Sequence, residues 1–350
     1  MNFIKYDSSK VTQDMKNLLT ATASANSTER AEAITRFGSA IELPIRQGVI
    51  RGNNATGIFE VEMLEPGVTA EYPIDIIAPG CNEQDFRAFT NPGKGRIPES
   101  TISGDCVVVQ QYCIANSIDW YLKFAKNARW DIISRAMEVM VAGFVKKMND
   151  DQWHTLLAAA ADRNRMVYDA SAAQGQLTRR LLGLSKCVMK RFGCGNAHSV
   201  GTGALTDVYL GCEAMEEVHN WGIDQVADII RAELYRSQSS EDNTVNITGV
   251  RLHETWEFGV GQEYQDYFVN QLGGALVPNT APNHTDHSDV ELAIGLDLRN
   301  RDSFVMPMTE PGMEIFRDPE LHRRQKDGVY GWLNLGLGVL DLRRVLALSF

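Results

Sequence analysis

The stretch from Asp119 to Leu157, DWYLKFAKNARWDIISRAMEVMVAGFVKKMNDDQWHTLL, limits what this chain can fold into more than any other. It holds no proline and a single glycine, Gly143, so nothing in it forbids a continuous helix. Apolar residues at Trp120, Phe124, Ala128, Ile132, Ala136, Met140 and Phe144 recur at every fourth position. Tyr121, Ile133, Met137, Val141, Val145 and Met148 widen that row into a broad band. With Ser117 or Asp119 as N-cap, the pattern predicts a helix from about Asp119 to Met148, about 45 Å long. Asn149, Asp150 and Asp151 mark its expected break, and a second helical stretch follows from Trp153 to Ala161. So broad a band is more apolar surface than one helix face needs to bury. Gly143 then reads as a point of close packing or slight bending.

The helix is not a membrane span, because no segment of the chain reaches about 18 uninterrupted apolar residues. The start, MNFIKYDSSKVTQD, is polar and charged where a secretory signal needs an apolar core, so synthesis and retention in the cytoplasm are expected. At 350 residues, 44% hydrophobic and 23% charged, the chain can bury a core in two domains or in one domain with insertions. Its net charge of −11 comes without a lysine or arginine run, which argues against gripping phosphates but allows a surface that stands beside DNA. Cys81, Cys106, Cys113, Cys187, Cys194 and Cys212 form no CxxC pair, so buried free thiols are expected rather than a disulfide framework or a zinc site.

Around the helix the pattern is extended. Residues up to about Ile50 suit an arm whose order depends on neighbours. GIFEVEML, the turn EPG, VTAEYPIDIIAPG and, after the turn-rich CNEQDFRAFTNPGKGRIPES, TISGDCVVVQQYCIA predict a long hairpin. A two-stranded ribbon is marginal in water and needs a surface to lie on. Further on, QLTRRLLGLSKCVMKR and ALTDVYLGCEAMEEVHNW predict helices, as does the segment around Ile223 to Tyr235. TVNITGVRLHE predicts a strand, and PNTAPNHTDHSD a loop. VELAIGLDLRNRDSFVMPM predicts one or two strands and EIFRDPELHRRQKDG a polar excursion. VYGWLNLGLGVLDLRRVLALSF predicts two closing strands around an LDLRR turn. The order of parts is that of an α+β protein.

No motif for chemistry survives inspection. HETWE has Glu257 where a zinc-protease helix needs its second histidine, and its flanks are strand-like, so His253 reads as an ordinary side chain. His284, Asp286 and His287 fall in a polar, proline-punctuated loop. Gly193, Cys194 and Gly195 lead to His198 where a dinucleotide fingerprint needs glycine. NPGKGR lacks the first glycine and the final hydroxyl residue of a phosphate loop, having Ala88 and Gly95 there. GLSKC lacks the last glycine of a nucleophile elbow. Asp150 with Asp151 and Glu216 with Glu217 read as helix caps or solvated charge. No catalytic, cofactor-binding or metal-ligating residue, and no cofactor, is expected.

In the order of these parts the chain resembles the major capsid proteins of tailed double-stranded DNA bacteriophages, the Hong Kong 97-type capsid fold. The resemblance spans nearly the whole chain and is densest in QKDGVYGWLNLGLGVLDLRRVLAL. It implies an N-terminal arm over residues 1–55 and an extended β-hairpin loop over 56–112. It further implies a peripheral domain with a long spine helix over 113–174 and 301–350, one side of that helix packed on the closing strands and another supporting an extended loop or arm, and an axial domain over 175–300. The implied function is a structural, non-enzymatic one: self-assembly as pentamers and hexamers into an icosahedral shell around double-stranded viral DNA. Implied partners are further copies of itself, a scaffolding protein, a portal and a decoration or cement protein, with no membrane. The implied location is the virion capsid, assembled in the host cytoplasm. Because the chain begins at Met1, a separate scaffold is expected rather than a fused one. Some members crosslink a loop lysine to a peripheral-domain asparagine, for which Lys94 and Asn334 are the matching positions. An encapsulin-like compartment shell and a cytosolic enzyme with a scattered site are the alternatives, the long arm favouring the phage reading over the first.

Overall fold

The computed structural model describes residues 21, 28, 32, 33, 36, 57–75, 104–126, 130–192, 203–221, 244–277, 289–299 and 301–350. Most of the expected arm, the hairpin tip with Lys94, and the helix around Ile223 to Tyr235 lie outside the described residues. So do the glycines near Cys194 and the histidines at 284 and 287.

The chain divides into two compact units, one of residues 1–70, 109–152 and 306–337 and the other of 71–108, 153–305 and 338–350. The first unit is built on strands β1 (Glu60–Leu64), β4 (Gln111–Tyr121), β10 (Phe304–Arg317) and β11 (Lys326–Gly336), in the order β1-β10-β11-β4. β10 begins in the second unit, where Phe304 and Val305 pair with the short β12 (Gly338–Val339). The register between β11 and β4 is unbroken and antiparallel from Lys326 opposite Tyr121 to Gly336 opposite Gln111.

That pairing explains where the long helix begins. Residues 117–121, expected to open it, are the end of β4, because their backbone groups are satisfied by a strand some two hundred residues later in the chain. One short turn of helix, α1 (Leu122–Lys126), follows, and the long helix α2 runs over Trp130–Asp162, 33 residues. The expected break at Asn149, Asp150 and Asp151 is absent. Asp and Asn cost a helix a few tenths of a kcal/mol each. Here Asp151 accepts from Lys147 Nζ at 2.7 Å one turn away and from the Tyr112 hydroxyl at 2.9 Å. The residues on either side, Met148, Gln152, Trp153, Leu156 and Leu157, are buried, so packing carries the helix through its weak point.

In the first unit Met137, Met140, Phe144 and Met148 form one buried stripe on α2. It meets the sheet at Gly331, where a Cβ would stand 3.0 Å from Met140 Cε, on the face where Val329 and Leu333 of β11 and Ile114 of β4 are also buried. The expected packing on a closing strand is therefore present. Of the wider band, Val141 and Val145 are half-buried, and beside them Val139 and Ala142 are exposed.

Gly143 is a close approach, as expected. A Cβ there would meet Asn116 Nδ2 at 2.6 Å, and that amide donates to the Met140 carbonyl at 3.2 Å. Alanine normally stabilises a helix interior by about 1 kcal/mol over glycine. Here displacing the Asn116 amide forfeits a hydrogen bond of about the same worth. Gly143→Ala is thus expected to leave stability unchanged within about 0.5 kcal/mol, while the same change in an Asn116→Ala background gains about 1 kcal/mol. Urea denaturation of the four proteins of this cycle checks the coupling.

The second unit is built on a six-stranded sheet in the order β5-β13-β9-β6-β8-β7. Its strands are β5 (Met166–Val167), β6 (Asp207–Leu210), β7 (Thr244–Ile247), β8 (Val250–Glu254), β9 (Leu292–Leu296) and β13 (Val345–Ser349). β13 runs parallel to β5 and antiparallel to β9, and β6 is parallel to β8. Helices α3 (Arg179–Phe192) and α4 (Cys212–His219) share one apolar cluster with this sheet, including Leu181, Leu182, Met189, Met215, Val218, Val208, Leu210, Leu252 and Leu348. Strands β2 (Ala70–Asp75) and β3 (Gly104–Val109) form a separate two-stranded sheet, part of the expected hairpin, whereas EVEML and QYCIA, expected in its arms, are β1 and the start of β4 in the first unit's sheet.

Three more sequence expectations need correction here. ALTDVYLGC is not the front of a helix: DVYL is the central strand β6, and the helix starts at Cys212. EIFR is not part of a polar excursion but the end of β10, whose Phe316 and Arg317 pair with Tyr330 and Val329. TVNITGVRLHE is a tight hairpin of β7 and β8, with positive φ at Thr248 and Gly249 making the turn.

Candidate functional site

The polar groups that attract notice in the sequence hold the fold together. His253 lies on β8, as its strand-like flanks suggested, and its ring stacks on Tyr209 at 4.7 Å. Its Nε2 is 2.8 Å from Asp207 Oδ1, and Arg251 Nε is 3.0 Å from the same oxygen. Burial would raise the Asp207 carboxyl, but hydrogen bonds from His253 and Thr206 and the Arg251 charge outweigh it and hold the group below the usual carboxylate range. Glu217 is neither a cap nor solvated charge: it is half-buried and accepts from the Leu177 amide at 2.7 Å.

Glu291 was not singled out in the sequence. Its backbone exchanges hydrogen bonds with Phe350, and its Oε2 is buried with no hydrogen-bond partner among the described residues. Burial, with the negative charges of Glu213 and Glu217 nearby, pushes its carboxyl up to about 7. A raised acid binds its proton more tightly in the folded protein, so its contribution is full below about pH 4.5 and is lost as pH rises to about 7. Glu291→Gln is expected to flatten the decline in stability between those values and to raise stability at pH 8 by roughly 2–3 kcal/mol. Thermal melts of both proteins across that pH range check it.

Among the described residues no three His, Cys, Asp or Glu side chains are placed to hold a metal ion. Cys113, Cys187 and Cys212 are free thiols, and Cys106, Cys113 and Cys187 are exposed, correcting the expectation that such thiols are buried. Asn334 lies half-buried in β11, opposite Cys113.

What the described residues offer in quantity is exposed apolar and aromatic surface. On β11 the side chains alternate, with Val329, Leu333 and Leu335 buried and Tyr330, Trp332 and Asn334 on the other face. The same outer face carries Phe316 from β10, 41% exposed, and the exposed Cys113, Ala115, Ser117 and Tyr121 from β4. Phe316, Tyr330 and Trp332 form one ladder, with ring centroids 4.9 to 5.8 Å apart, and Trp332 Nε1 donates to Glu314 at 2.8 Å. The signal in sequence was the period-two YGWLN, read as a strand and not as an aromatic face. At the sheet's edge, β1 presents Val61 and Met63 on one face, both over 40% exposed, and the exposed Glu60 and Glu62 on the other, so neither face is fully covered. Edge strands in this condition invite pairing with another chain.

No family model matches the chain, and no curated protein matches it in sequence. Solved structures do match. A chain of the head structure of Helicobacter pylori bacteriophage KHP40 superposes with a TM-score of 0.52 at 8% identity, covering 85% of this chain and 90% of that one. A chain of the capsid of Ralstonia phage GP4 gives 0.54 at 10% identity, covering 83% and 86%. A chain of the capsid asymmetric unit of cyanophage Pam1 gives 0.50 at 13% identity, covering 84% and 88%. Likeness over this much of both chains, with so little identity, is a likeness of fold, and the fold of this chain is the Hong Kong 97-type fold of phage capsid structures.

Proposed function

We propose that this chain is the major capsid protein of a tailed bacteriophage, a structural subunit that assembles as pentamers and hexamers into an icosahedral shell around double-stranded DNA. The observation that carries the reading is the fold shared with head and capsid structures over more than four-fifths of the chain. The uncovered surfaces support it, since a shell subunit must keep unlike faces open for unlike neighbours. In this reading residues 1–55 are an arm and 56–112 an extended loop, laid on adjacent subunits. Residues 113–174 with 301–350 form the peripheral domain around α2, and 175–300 the axial domain. Scaffolding protein, portal and a decoration protein are its other partners. The subunit works without catalysis, is assembled in the host cytoplasm and resides in the virion.

Electron microscopy of the purified protein is the direct test. Closed shells or five- and six-membered rings are the expected result. Monomers or dimers alone, under every assembly condition and with the scaffold present, would sink the proposal.

A further inference from the structure

The second unit displays a fully presented tryptophan on a rigid mount. Trp256, just past β8, is 75% exposed, and Val260 beside it is 46% exposed. The loop that holds them is not loose. Phe258 between them is fully buried, edge-on to Trp153 at 5.3 Å and to Tyr264 at 5.7 Å. Backbone hydrogen bonds tie Thr255 to Leu210, Phe258 to Thr255, Gln262 to Gly259 and Tyr264 to Glu257. Gly259 at φ +123 supplies a turn conformation that other residues resist. A tryptophan held out in water by an ordered loop is what a binding hot spot needs, because little conformational entropy is lost when it docks.

The surroundings say what it fits. From Glu254 to Val277 the sequence carries Glu254, Glu257, Glu263 and Asp266 and no lysine or arginine. Helix α3 of the same unit is the opposite: Arg179, Arg180, Lys186, Lys190 and Arg191, with no acid, in a chain of net charge −11. Arg179, Arg180, Cys187, Lys190 and Arg191 are exposed, while Leu181, Leu182 and Met189 hold the other face in the core. Lys186 Nζ donates to the Thr248 carbonyl at 2.5 Å, tying α3 to the β7–β8 turn, whereas Trp256 follows the far end of β8. The anchor of α3 at Lys186 and the Trp256 loop therefore lie at opposite ends of a five-residue strand, roughly 16 Å apart along it.

We infer that the Trp256 loop of one copy docks on the basic face of α3 in the next copy, a head-to-tail contact that propagates around a ring. Two complementary patches at separate places on one unit cannot satisfy each other within the chain and generate a heterologous interface. Trp256 lies over a guanidinium or ammonium of α3, and Glu257 and Glu263 face its remaining cations. The inference rests on the reading of the chain as a self-assembling subunit.

The test measures the protein concentration at half-assembly, by sedimentation and microscopy, together with the melting midpoint of unassembled protein. Trp256→Ala is expected to raise that concentration at least tenfold with an unchanged midpoint. Lys190→Glu with Arg191→Glu is expected to do the same. Combining that pair with Glu257→Lys and Glu263→Lys is expected to restore assembly, because reversing both patches keeps them complementary. Wild-type protein that assembles alongside an equally competent Trp256→Ala variant would overturn the docking while leaving the proposed function intact. Failure of the wild type to assemble at all would overturn both. Loss of duplex-DNA retention by the Lys190→Glu, Arg191→Glu protein with assembly unchanged would assign the α3 face to DNA and overturn the docking.

Discussion

Replacing Arg317 by alanine is expected to destabilise the first unit by about 3–5 kcal/mol. Arg317 and Asp327 face each other across β10 and β11 with side chains 4% and 1% exposed, and the guanidinium meets both carboxylate oxygens at 2.5 and 2.6 Å. The carboxylate also accepts from the Gly328 amide at 3.0 Å. Removing the arginine strands a buried negative charge, and that penalty, more than the lost attraction, sets the size of the effect. The two cases separate in a second variant. Arg317→Met with Asp327→Leu removes both charges and keeps the volume, so it is expected to lie within about 1–2 kcal/mol of the wild type. Urea denaturation followed by tryptophan fluorescence measures both, since Trp120 and Trp332 lie in this unit. Equal losses in the two variants would show that packing, not the stranded charge, is responsible.

That pair also shows what the sequence could and could not reveal. Arg317 and Asp327 sat in a stretch read as a polar excursion, because charged residues on a strand look solvated until a partner strand is known. The same blindness displaced the long helix. Its length was legible, since an unbroken apolar row without proline admits no other element. Its position was not, because residues 117–121 carry a helical pattern and a strand pattern at once, and β11 decides between them from the far end of the chain. DVYL failed in the same way: four residues are too few to fix a period, and β6 is held by β8 and β9 on either side. The closing strands were legible because their alternation and their LDLRR turn are local. Asp341 accepts from the Arg343 amide at 3.0 Å to make that turn. Surfaces were the least legible part. An aromatic at period two on a strand reads as core, and only the structure shows that Trp332 looks outward.

Phe258 is the position where stability and presentation of a surface meet, and Phe258→Ala is expected to cost about 3–5 kcal/mol. The ring is fully buried among Trp153, Tyr264 and the α4 start, where a Cβ on Gly211 would stand 2.8 Å from the Phe258 carbonyl oxygen. Neighbours packed that closely cannot collapse into the space left, so the cavity term adds to the lost burial. The mount for Trp256 loosens at the same time, since Phe258 is buried between the exposed Trp256 and Val260. Phe258→Ala is therefore expected to lower the melting midpoint and to weaken assembly together, whereas Trp256→Ala weakens assembly alone. Phe258→Leu keeps much of the volume and is expected to lose less of both. If Phe258→Ala melted several degrees lower yet assembled at the wild-type concentration, the loop would be a structural plug, and Trp256 would owe nothing to its support.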